Sequence, residues 1–146
     1  MRFIHVVFLF FCLVPNLDFH ISNEAMAIAA CESGDTKNLG SLDWDAVGYN
    51  GNWSTDGGAF QFNDYWIWNP KDRWVLAPVA NNVFNMHSDD FVRQWPNAQS
   101  APPNVQYAVF EYVWNDGYGW RNWTASKACW DKWLTIDKKG RAVWRN

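Results

Sequence analysis

The chain opens on an apolar run, Phe3 to Val14 (FIHVVFLFFCLV), behind Arg2 and stopped by Pro15. One positive charge followed by roughly a dozen apolar residues reads as a secretory signal or a short anchor within residues 1–20. A spanning helix needs about 20 residues, and His5 and Asp18 count further against one. The small-x-small triplet Ala25-Met26-Ala27 is a poor place to cut, because most of the next element would go with it. An earlier cut or a retained anchor is expected. Phe10-Phe11-Cys12 lacks the small residue that precedes a lipidated cysteine, so no lipoprotein is expected.

After the run, apolar and small residues cluster in NEAMAIAACES, which predicts a helix over Glu24 to Ser33. Ser22 or Asn23 is placed to cap it, Glu24 sits near its positive end, and Gly34 is placed to stop it. Asp35 to Asp43 reads as a loop. WDAVGY and NWST then flank Asn50-Gly51, which predicts a hairpin with a type I′ turn, and AFQF follows as a third extended piece. Asn69-Pro70 predicts a helix to about Val75, with Pro78 arguing against its running further. Ser88-Asp89-Asp90 caps a short helix ending before Pro96, and NAQSAPPN is a loop. VQYAVFEYVWND has apolar residues at helical spacing and stops at Gly117. GYGWRNWT reads as an aromatic loop, Ala125 to Leu134 as a last helix, and DKKGRAVWRN as a basic, mobile, solvated tail able to touch an anionic polymer. The order predicts an α+β fold, mainly helical, with a small hairpin or sheet after the first helix.

Composition changes this picture in one respect. The chain of 146 residues is one domain's worth, yet it carries 12 Trp, 10 Phe and 5 Tyr. That exceeds the ordinary needs of one small core, and aromatic faces with a polar edge suit stacking on sugar rings. A net charge of −3 gives no footprint for nucleic acid. Without the leader, two cysteines remain, Cys31 and Cys129. In an exported chain an isolated pair is most simply a disulfide, here closing a loop of nearly the whole domain. In the chain-entropy model such a loop is worth roughly 4–5 kcal/mol.

Glycosidic cleavage needs a carboxylic acid that stays protonated near neutral pH, and often a second carboxylate across the sugar. Glu32, at a helix end and tied by Cys31 to a Trp-rich segment, is expected to be desolvated and raised in pKa. CESG (31–34) followed by GGAFQF (57–62) resembles the resuscitation-promoting factors and lytic-transglycosylase-like proteins, in which the Glu is the catalytic acid and its cysteine pairs near the C-terminus. WRNWTASKAC, with a longer Trp-to-Cys gap than in that family, takes the C-terminal part. STDGGAFQFN (54–63) is similar to a segment of animal-type lysozymes whose Asp is the second catalytic carboxylate. The resemblance covers residues 22–66 and 100–130, and the stretch from Ile67 to Gln99 is not aligned with it.

The resemblance implies a lysozyme-like catalytic domain over 21–146, with the Cys31–Cys129 disulfide, that cleaves the β-1,4 bond between N-acetylmuramic acid and N-acetylglucosamine in peptidoglycan. Glu32 would be the general acid and Asp56 the second catalytic residue, with Asp43 and Asp45 as alternatives. Asp56 in an Asp-Gly turn is the competing use. Gly57 and Gly58 would let the backbone approach the glycan. Gln61 and Asn63 are candidate hydrogen-bonding partners of the sugar. Trp66, Trp120 and Trp123 are candidates for the cleft wall, with core packing as their competing use. No metal or cofactor is called for, and a secreted, periplasmic or wall-associated monomer acting on glycan strands is expected, without stable membrane association after processing.

Rival readings are a lytic transglycosylase acting on the same bond, and a non-catalytic glycan-binding module. His87-Ser88-Asp89 reads better as a helix start than as a hydrolase triad, since sequence neighbours rarely supply triad geometry. Asn52-Trp-Ser and Asn122-Trp-Thr match the glycosylation acceptor pattern, which matters only in a eukaryotic host. The acidic balance argues against bulk attraction to anionic envelopes and fits remodelling, local wall opening or growth stimulation better.

Overall fold

Small side chains decide where the first helix lies. In α1 (Asn23–Glu32), Ala25, Ala27, Ile28, Ala29 and Ala30 are all buried, so the helix is packed on most of its circumference. Ser22 caps it, its hydroxyl accepting from the Ala25 amide at 3.2 Å. At the other end the Gly34 N–H returns to the Ala29 carbonyl at 2.9 Å. The computed structural model describes residues 20–71 and 74–146. The apolar run and the secretory reading attached to it lie outside them.

The chain then forms a three-stranded antiparallel sheet from β1 (Val47–Tyr49), β2 (Thr55–Gly57) and β3 (Phe62–Asn63). Its register aligns Gly48, Asp56 and Asn63 in one row across the strands. The connection between β1 and β2 is not the predicted two-residue turn. Asn50 N–H reaches the Ser54 carbonyl at 3.0 Å, which makes a longer loop. Asn52 is the reason, because its side-chain oxygen accepts from both the Ser54 N–H and the Ser54 hydroxyl, at 3.2 and 2.8 Å. AFQF is likewise not extended throughout. It begins as a turn, Gln61 has φ 50°, and only its last residue, Phe62, enters a strand.

Helices supply the remaining layer: α2 (Leu76–Phe84), α3 (Ser88–Gln94), α4 (Pro103–Trp114) and the short α5 (Lys127–Trp130). α2 begins where the predicted helix from Asn69 was to end. Pro78 falls in its first turn, where a missing N–H costs no helical bond. Short 3-10 turns at Ala98–Ser100 and Tyr118–Trp123 replace loops. The basic tail is a hairpin, not a mobile end. β4 (Leu134–Ile136) pairs with β5 (Ala142–Trp144), with Leu134 and Ala142 buried. Lys138, Lys139 and Gly140 make its turn, and Asp137 accepts from the backbone N–H groups of Lys139 and Arg141. The fold is α+β with helix predominant.

The core lies between α1, α4 and the sheet. Phe60 stacks on Phe110 at 4.4 Å between ring centroids, and Phe110 meets Trp123 at 5.1 Å and Trp114 at 5.4 Å. No helix among the described residues is long and apolar enough to cross a membrane.

Candidate active site

The C-terminal end of α1 is fixed at three consecutive residues. Cys31 is disulfide-bonded to Cys129, with Cα atoms 5.8 Å apart. Glu32 Oε1 accepts a hydrogen bond from the Ser126 hydroxyl. Ser33 donates to the Ala59 carbonyl at 2.8 Å. Two of these ties reach the start of α5 and the third reaches the turn after β2. The position of Glu32 is therefore set by covalent and polar links to two other parts of the chain.

Burial raises the Glu32 pKa above that of an ordinary carboxyl, since desolvation disfavours the charged form. The Ser126 hydroxyl pulls it down, and the negative charge of Asp56 pushes it up again. Ser33 ties this end of α1 to the turn that follows β2, the strand that carries Asp56. Ser126 Oγ also lies 3.2 Å from the Trp123 carbonyl. Its single proton can serve Glu32 when that residue is ionised. When Glu32 is protonated, the same hydroxyl can donate to the Trp123 carbonyl and accept from the Glu32 O–H.

Asp56 is held from both sides. Asn50 Nδ2 donates to Oδ2 at 3.0 Å and Asn63 Nδ2 to Oδ1 at 2.7 Å. The Asn63 and Asn50 amides also reach Ser54 Oγ, at 3.0 and 3.2 Å. A network built this way fixes the direction of a carboxylate rather than leaving it to rotate in solvent. Asp43 and Asp45 are exposed, and Asp43 accepts from the Asp45 N–H within its own turn.

Other candidates divide between site and scaffold. Asn63 spends its amide nitrogen on Asp56 and its oxygen on the N–H groups of Tyr65 and Trp66, each at 3.1 Å. Gln61 sits over Gly48, where an added Cβ would come within 2.7 Å of Gln61 Oε1 and 3.8 Å of Asp56 Cβ. It shares the face of the sheet that carries Asp56. Gly57 and Gly58 are buried, and the space a Cβ would need is taken by Gln99 and Gln106, at 2.0 and 2.1 Å. These glycines admit protein side chains, and Gly58 also needs its φ of 73°.

The three tryptophans behave differently. Trp66 is 68% exposed. Trp120 is half-buried, its Nε1 donating to the Gly140 carbonyl at 3.1 Å, with the Arg121 guanidinium 4.9 Å over its ring. Trp123 is 3% exposed and its Nε1 donates to the Phe60 carbonyl at 3.0 Å, so it belongs to the core.

Sequence reasoning missed Ser126, Asn50 and Gln106. Ser126 stands three residues before Cys129, so a Cys31–Cys129 bond already brings it toward the neighbour of Cys31. Gln106 is fully buried and joins three main-chain groups: it accepts from Ala59 N–H and donates to the Trp44 and Ala101 carbonyls, all at 2.9 Å. Nothing local in VQYAVF marks that use. Among the described residues, no three His, Cys, Asp or Glu side chains gather as a metal site.

No family model, curated protein or solved structure matches the chain. The weight therefore falls on the geometry of the two carboxylates.

Proposed function

We propose that the chain is a lysozyme-like glycosidase. It would hydrolyse the β-1,4 bond between N-acetylmuramic acid and N-acetylglucosamine in peptidoglycan. The observation that carries this reading is the pair itself. A half-buried Glu32, its pKa raised, ends a helix that Ser33 ties to the turn after β2, and β2 carries an Asp56 whose two oxygens are gripped by asparagine amides. Burial favours the protonated form of Glu32, and the asparagine amides fix the direction of Asp56, an arrangement suited to a general acid with a second carboxyl across the sugar. The order of elements, with a helix ending in the acid, a three-stranded sheet bearing the second carboxylate and helices behind, supports a lysozyme-like fold.

In the first step Glu32 gives its proton to the glycosidic oxygen as that bond breaks. Asp56, across the sugar, bonds to the anomeric carbon or stabilises its positive charge. Water then adds at that carbon and returns a proton to Glu32, leaving a hydrated reducing end. Ser126 acts through Glu32 as a positioning residue, offering a donor to the carboxylate and an acceptor to the acid.

A Glu32→Gln variant tests the assignment, because the amide keeps the shape and loses the proton. Turnover of purified peptidoglycan should fall by about 10²–10⁴-fold, while co-sedimentation of the protein with the wall persists. Full activity in the variant would refute the role of Glu32. Binding with no cleavage by the wild-type protein would leave a glycan-binding module.

A further inference from the structure

We propose that the tip of the β1–β2 hairpin is a second sugar-stacking site, where Trp53 carries a pyranose ring of the glycan beyond those flanking Asp56. This rests on the glycan-cleaving reading and extends it from Trp66, already a candidate for the cleft wall, to Trp53 at the hairpin tip. A depression of about 400 Å³ lies here, lined by Asn52, Trp53, Ser54, Asp64, Tyr65 and Trp66. Its size is in the range of small-ligand sites.

Trp53 is 97% exposed, so the fold gains almost no burial from its largest type of side chain. Its φ is 68°, in the left-handed region, where a bulky residue is a strained outlier. Glycine or asparagine would make this turn with less strain. A strained backbone that holds an indole in solvent is therefore unexplained by stability. The tip is also braced, since Asn50 N–H and Trp53 N–H close the loop on the Ser54 and Asn50 carbonyls and Asn52 holds Ser54. The indole is displayed on a rigid support.

Two more aromatic rings complete the surface. Tyr65 and Trp66 meet edge to face at 4.8 Å and are 62% and 68% exposed. The Asn63 oxygen fixes the main chain of both, while its amide nitrogen fixes Asp56. One side chain thus sets the aromatic surface in register with the proposed catalytic carboxylate. Such coupling has a use if a single polymer touches both.

The lining selects the chemistry of that polymer. Aromatic faces take the C–H face of a pyranose, while the Asn52 amide nitrogen and the lone pairs of Asp64 beyond those that Thr55 uses match its hydroxyl groups. A wholly apolar partner would take the Asp64 carboxylate out of water and give the Asn52 amide nitrogen no acceptor. Nucleic acid would set phosphate against Asp64 on a chain of net charge −3.

The test uses uncross-linked peptidoglycan glycan strands of defined length, with binding read by calorimetry on the Glu32→Gln protein so that they stay intact. Adding Trp53→Ala should weaken an octasaccharide by roughly 3–10-fold and leave a disaccharide unchanged, with Trp53→Phe recovering part of the loss. Trp53→Gly, which relieves the left-handed strain, should weaken the octasaccharide equally while unfolding at higher temperature. A purely structural role for Trp53 does not produce that combination. Equal affinities with and without Trp53, where the octasaccharide does bind, would overturn the tip site and leave the Glu32 assignment standing. No binding of any strand would overturn both.

Discussion

On the helical side of the two carboxylates, Trp123 and Trp130 are buried, and each indole N–H ends on a main-chain carbonyl, Phe60 and Trp123 respectively. Trp68 does the same with the Trp95 carbonyl at 2.8 Å. On the hairpin side, Trp53 and Trp66 stand in solvent, in the loops before a strand of three residues and after one of two. One side is aromatic because burial drives folding and each polar edge finds an acceptor. The other gains nothing from burial, so stability does not account for its aromatic rings. Burial thus explains the tryptophans of one side and leaves those of the other without a role in folding.

The contrast should show most strongly at Trp123. Trp123→Ala empties the space beside Phe110 and strands the Phe60 carbonyl, and it should cost about 3–5 kcal/mol in urea unfolding. A cost near that of a surface substitution would break the distinction between the two sides. Gln106→Leu comes next. It removes one acceptor and two donors from buried main-chain groups and should cost about 2–3 kcal/mol. It should also slow cleavage by loosening the turn that follows Asp56.

Glu32→Gln is smaller in stability and opposite in sign. Because folding raises the Glu32 pKa, the folded state holds that proton more tightly than the unfolded chain does. The stability from the protonated form is present below the unfolded pKa and is lost as pH rises through the folded one. Glutamine never ionises, so the variant should melt at a higher temperature than the wild type near neutral pH and at the same temperature in acid. Calorimetry across that range checks the sign.

Ser126→Ala should leave stability almost unchanged and move the alkaline limb of the rate profile upward. It removes a hydrogen bond that lowers the Glu32 pKa. Ser126→Thr, which keeps the hydroxyl, should restore the limb.

Much of the helical side was legible in the sequence. Ser22 or Asn23, the alanine run and Gly34 mark α1 to within a residue at each end, and the pairing of Cys31 with Cys129, expected if the chain is exported, is the one the structure has. The tail was misread because Lys138 and Lys139 suggest a solvated end, whereas they form the turn between two short strands whose Leu134 and Ala142 face inward. Pro78 suggested a stop because helix interiors reject proline, yet the first turn accepts it. The Asn50-Gly51 signal failed because Asn52 captures Ser54 and lengthens the loop. At the site, Glu32 and Asp56 were visible as residue types in a pattern. Their gripping partners were not, since Ser126 is 94 residues away in sequence from Glu32. Nor does local pattern separate Trp123 from Trp53, because burial and a positive φ are decided by the whole fold.

The central claim is that Glu32 and Asp56 together hydrolyse a glycan bond. Its most direct test is mass spectrometry of the soluble fragments released from purified peptidoglycan by the oxidised protein, beside the Glu32→Gln variant. Fragments with hydrated reducing ends from the wild type and none from the variant are the predicted result. Fragments lighter by one water would make the reaction a transglycosylation and remove Asp56 from the chemistry. Equal release by both proteins, or none by either, would contradict the account.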